Sequence, residues 1–197
     1  MRFARDLASL AGVVDEAAYY AGAIYPDSRY LTGVSREQTH RIDVPTFPFT
    51  NDQTDFQKGW ATHLLYDDLA GARLKSFFCV EEIGDFDQRW MKTTAAKVVE
   101  ELYTCQTCPE VLEIIRGVEM REAPLNESWK TLEVYYRVQR DTYKKTPKTL
   151  EDFHRVHGLL SDEMIAVLAS EVQALQKDAE ATKRIQFLYN EVLSEIL

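Results

Sequence analysis

The chain has 197 residues, 45% of them hydrophobic, and a formal net charge of −9. That length suits one domain with a sizeable core, and the acidic balance argues against bulk nucleic-acid binding, since a phosphate backbone calls for a basic footprint. No stretch approaches the roughly 20 apolar residues of a membrane span, and Arg2, Arg5 and Asp6 break up the apolar run that a signal peptide needs.

Residues 3–24 are rich in alanine and apolar side chains at three-and-four spacing, with Gly12 as a point of division. Asp15 and Glu16 supply the acids of a first turn. Tyr25-Pro26 ends that helix, because the residue before proline is pushed out of the α region, and leaves Asp27 on the turn. Thr32-Gly33 turns the chain again. Ser35 with Gln38 three residues later reads as a capping box, which puts His40 in the second turn of a short helix. Pro45 and Pro48 among Phe47 and Phe49 predict a loop packed on the body. Asp52 or Thr54 caps a long helix through His63 and Asp67 to about Phe77, with Leu64, Leu65 and Leu69 facing inward and Gly59 admitting a close backbone neighbour.

Beyond Gly84 the pattern is helical almost throughout. Asp85 opens a helix to about Tyr103. Thr107-Cys108-Pro109-Glu110 is a start signal with proline at the first position. Pro124 and Asn126 precede a helix with Trp129, Tyr135 and Tyr136 as core residues. Thr149 opens a short helix closed by Gly158, and Ser161-Asp162-Glu163 opens a long amphipathic segment with a break near Lys177-Asp178. With no strand pattern and no repeat, the expected fold is all-α: one domain over residues 1–197, a bundle of about seven to eight helices.

One constellation carries chemistry. His63 and Asp67 stand four apart on a helix and so share a face, while Asp27 and His40 lie on the turns before it. Two imidazoles and two carboxylates make an N₂O₂ donor set suited to zinc, with iron or manganese as alternatives. Arg29 and Arg36 flank these residues and could steady a phosphoryl or carboxylate anion; pairing of Arg36 with Glu37 or Asp67 is the structural alternative.

The order Tyr25-Pro26-Asp27, then His40, then Gly59, His63 and Asp67 at four-residue steps resembles the signature of the zinc-dependent phospholipase C family, a superfamily that also includes fungal single-strand nucleases. The likeness spans roughly residues 13–72. It implies an all-helical domain in which Asp27, His40, His63 and Asp67 surround one zinc of a trinuclear cluster. It also implies a small-molecule or lipid-like phosphoester as substrate. The chain departs from the family in two places. Nothing near Met1 offers the family's N-terminal tryptophan or early histidine, and Arg73, Phe77 and Phe78 stand where two histidines and a glutamate would follow. What carries over intact is one metal site, so a mononuclear or dinuclear relative is expected. Its chemistry would be phosphoester hydrolysis, with Asp27, Arg29 and Arg36 as catalytic residues beside a metal that polarises the phosphoryl oxygen.

Two other readings stay open. An HD-type phosphohydrolase is also helical and built from His and Asp, but no His-Asp dipeptide occurs in the chain. A helical interaction protein with a structural metal, or none, is the non-enzymatic alternative. Glu151, His154 and His157 could share one side of the short helix and serve a second metal or a general base, though such a trio is more often a solvated helix face near a C-terminus. Cys105 and Cys108 have redox spacing without a βαβ context and read as structural, and Cys79 reads as core. Three cysteines, an odd number, do not make a secreted disulfide framework, so the cytoplasm is the expected compartment.

Overall fold

A computed structural model describes residues 1–40, 47, 49–79, 83, 85–144 and 161–197. Among them the architecture is all-α, with eight helices of seven residues or more and no strand. Helix α1 covers Arg2–Ala8 and α2 Glu16–Ile24; a 3₁₀ segment, Tyr25–Ser28, leads into the single turns α3, Arg29–Thr32, and α4, Arg36–Thr39. The long helix α5 spans Asp55–Phe77, α6 Phe86–Thr107, α7 Pro109–Gly117 and α8 Trp129–Lys144. The terminal hairpin pairs α9, Asp162–Lys177, with α10, Ala179–Ile196. No helix is long and apolar enough to cross a membrane among the described residues.

Local chemistry accounts for the helix starts. Asp15 accepts from the Ala18 amide, and Ser35 and Thr54 form reciprocal capping boxes with Gln38 and Gln57. Asp178 takes the amides of Glu180 and Ala181, which splits the C-terminal segment where the chain was expected to break. Gly33 caps α3 at φ of 73°, and Gly12 holds φ of 59° in the turn after α1, left-handed conformations that glycine adopts at little cost.

Helix α5 is the spine. Its first half, with Phe56, Trp60 and Ala61, packs against α2 and the α8 tyrosines Tyr135 and Tyr136, all buried. Its second half, with Ala70 and Leu74, joins α1, α6, α9 and α10 in a second cluster. Leu64, Leu65 and Leu69 face inward as expected, packing half-buried against these two clusters. A Cβ placed on Gly59 would lie 1.8 Å from the Tyr19 carbonyl oxygen, and one on Gly22 would lie 2.0 Å from that of Phe56. Helices α2 and α5 therefore touch backbone to backbone. Asp55 strengthens the crossing by accepting from the Val14 and Asp15 amides at 3.0 and 2.7 Å.

Two sequence expectations need correction. Trp129 is 59% exposed at the start of α8. Cys79 is exposed with φ of 46°, because α5 ends at Phe77 and the chain turns out of the helix there. Phe49 packs against both large clusters, while Pro45 and Pro48 of the expected loop lie outside the described residues.

Candidate metal centre

The last turn of α2 places the site. Three side chains from elsewhere donate to carbonyls of this turn: Tyr136 Oη to Ala21 O at 2.9 Å, beside the Tyr25 amide that bonds the same oxygen, Tyr135 Oη to Ile24 O at 2.6 Å, and His63 Nδ1 to Ala23 O at 3.0 Å. The third bond has a chemical consequence. With its proton on Nδ1, the His63 ring turns an Nε2 lone pair inward, and that buried nitrogen has no hydrogen-bond partner.

His40 caps the C-terminus of α4 rather than standing in its second turn, since the helix stops at Thr39. Its Nδ1 lies 2.9 Å from Thr39 Oγ1, and its Nε2 accepts from Arg36 Nη1 at 3.1 Å. The backbone at this point is anchored by Trp60, whose Nε1 donates to the Thr39 carbonyl at 2.7 Å. Both imidazoles face one carboxylate oxygen: Asp67 Oδ2 is 3.6 Å from His40 Nε2 and 3.9 Å from His63 Nε2. The other oxygen, Oδ1, accepts from Lys97 Nζ at 2.7 Å.

Three acceptor atoms thus converge within 4.8 Å of one another. Two donors on a tetrahedral ion with bonds of about 2.0–2.2 Å sit about 3.3–3.6 Å apart, close to the spacing seen. An orphaned imidazole nitrogen costs about 1–3 kcal/mol in a buried site, and a cation between the rings and the carboxylate would satisfy it. The donor set therefore fits a divalent transition metal. Burial alone would raise the Asp67 pKa, but His40 and His63 in their protonated forms, together with Lys97, outweigh it and hold the carboxyl well below the ordinary range. It is an anion ready to ligate.

Asp27 sits in the 3₁₀ segment and lines the same cavity as His63 and Asp67, outside the mutual cluster of three. Arg36 is the arginine that reaches the site, with Nη2 3.8 Å from Asp67 Oδ2. Arg29 lies over the Tyr30 ring, 3.9 Å from its centroid. Glu151, His154 and His157 fall outside the described residues. Cys105 borders the cavity, where burial and the Glu101 carboxylate push its thiol up to about 11, so it is not a thiolate near neutral pH.

The cavity measures about 230 Å³. Lys97 and Glu100 of α6 reach it, and Tyr66 donates to Glu100, a carboxyl that burial pushes up. Sequence reasoning missed Lys97, Glu100 and Trp60. Nothing distinguishes Lys97 from other lysines until α6 is packed beside α5, and Trp60 reads simply as core. Compared with known proteins, the chain matches no family model, no curated protein and no solved structure.

Proposed function

We propose that this protein is a metal-dependent hydrolase of a phosphoester, with His40, His63 and Asp67 holding one divalent transition ion, zinc first and iron or manganese as alternatives. The observation that carries the reading is the convergence of two Nε2 atoms on Asp67 Oδ2 around a buried His63 nitrogen without a partner. Bound there, the ion would supply Lewis acidity toward a phosphoryl oxygen. Arg36 and Lys97 stand beside the ligands as cations for an anionic substrate, and Arg29 is the arginine before Arg36 in the chain. Asp27, on the same cavity, either completes the ligand set or takes the proton of the attacking water. Water would add to phosphorus, the ester P–O bond would break, and the alcohol would leave with a proton. Three free thiols accord with a cytoplasmic setting.

The test is elemental analysis of protein purified under metal-replete conditions, followed by a screen of phosphomonoesters and phosphodiesters. About one ion per chain is expected, and His63→Ala should lose most of it. Metal-free protein from such a preparation would overturn the reading. Metal without hydrolysis of any ester would leave a structural ion and remove the enzyme.

A further inference from the structure

The cavity beside His63 and Asp67 is larger than a hydrated phosphate needs, and most of its surface is hydrocarbon. The charged part of the wall is His63, Asp67 and Lys97 with Asp27, Glu100, Glu101 and Arg2. Another part is Val111, Ile115 and Tyr143, which belong to the small apolar cluster of α7 and the end of α8. A phosphoryl group beside Lys97 would therefore leave an apolar space still to be filled by the rest of the molecule. Its volume sets a size. A closed apolar cavity of about 150 Å³ takes up benzene; the present one, at 230 Å³, is about half as large again. That is room for a bicyclic ring or a short branched chain, and too little for two long acyl chains.

We infer that the substrate is a phosphoester of a small, mostly apolar alcohol or phenol, about the size of an indole or naphthalene ring system, whose organic group is enclosed by the wall of Val111, Ile115 and Tyr143. The assignment rests on the hydrolase reading for the phosphoryl end and on the cavity alone for the organic end. Diacyl lipids and simple methyl or glycerol esters are both excluded as good substrates. The first overflow the cavity, and the second leave its apolar wall without a partner. Each buried methylene or its equivalent contributes roughly a fourfold gain in binding, so a naphthyl ester should exceed a methyl ester at least tenfold in kcat/KM.

Two variants read the wall directly. Cys105→Phe places a ring in the cavity from α6, where Cys105 is half-buried, and Ile115→Val enlarges it by one methyl group. The first measurement needs neither metal nor activity. Metal-free protein is titrated with 1-naphthol and with indole by calorimetry, with circular dichroism confirming that each variant is folded. Binding is expected for the parent and for Ile115→Val, and a loss of at least fivefold for Cys105→Phe. No binding to the parent, or equal binding to a folded Cys105→Phe, overturns the inference.

The second measurement compares 1-naphthyl, methyl and glycerol phosphate esters and diacyl phospholipid in mixed micelles on the metal-loaded protein. Hydrolysis that favours the naphthyl ester supports the inference. Hydrolysis that favours the lipid or the methyl ester overturns it and leaves the hydrolase reading standing. Naphthol binding in a protein that holds no metal overturns the hydrolase reading and supports the cavity's assignment to a small apolar group.

Discussion

Substitution of Gly59 by alanine isolates the contact on which the site depends. An added Cβ would lie 1.8 Å from Tyr19 O, short of an ordinary contact of 3.4 Å by 1.6 Å, and the obstacle is backbone on both sides. The helices α2 and α5 must then separate by a distance of that order. Two hydrogen bonds across the crossing start at 3.0 Å, Tyr19 Oη with Thr62 Oγ1 and His63 Nδ1 to Ala23 O, and both would break. Overpacking costs about 1–3 kcal/mol, and each lost bond about 0.5–1.5 kcal/mol. Alanine's better helix propensity returns about 1 kcal/mol. The net loss is about 3 kcal/mol, which for a chain of this size lowers Tm by roughly 9 °C. Gly71 on the same helix is the internal control, because a Cβ there meets nothing within 4 Å. Gly71→Ala should raise Tm by about 3 °C on propensity alone. Thermal and urea unfolding followed by circular dichroism reads both, and metal content of folded Gly59→Ala should fall because His63 loses its tautomer-setting partner. Equal effects at the two glycines, or a neutral Gly59→Ala, would refute a crossing held by backbone contact.

Trp60→Phe should cost about 1–2 kcal/mol, since the buried Thr39 carbonyl loses its donor. Metal affinity should fall about tenfold as His40 loses its anchor; calorimetric titration with zinc checks it, and an unchanged affinity would separate His40 from the site. Lys97→Met acts through Asp67. A depressed folded pKa contributes stability that is fully present above the unfolded value of about 3.9 and is lost as pH falls through the lower folded value. Removing Lys97 raises the folded pKa, so the acid-unfolding midpoint should move to higher pH, and an unmoved midpoint would make the ion pair energetically idle. Iodoacetamide at pH 8 should label exposed Cys79 first and spare Cys105, whose thiol titrates near 11, and buried Cys108. A Cys105→Ser/Cys108→Ser protein should keep its metal, and loss of metal with the fold intact would give those thiols a role.

The capping box at Ser35, a cap at Thr54 and the split at Asp178 were legible in the chain because each is made by residues within four positions of one another. So was the shared face of His63 and Asp67, which follows from helical spacing alone. Helix α2 does end at Ile24, but Tyr25 keeps α-region angles (φ −55°, ψ −43°) and the chain continues as a 3₁₀ segment, so the expected displacement of the residue before proline does not occur. The burial of Trp129 and Cys79 was misread because an aromatic or a thiol at an apolar position reports preference, whereas exposure depends on which neighbour arrives.

The protonation of the site was beyond any local pattern. His63 holds its proton on Nδ1 only because it meets the Ala23 carbonyl of α2, 40 residues earlier in the chain. Asp67 offers Oδ2 to the two rings only because Lys97, 30 residues later, occupies Oδ1. Spacing along a helix places donor atoms on a common side, and that much is written in the order of residues. Which lone pair each donor turns inward depends on hydrogen bonds to partners that only the packed bundle supplies.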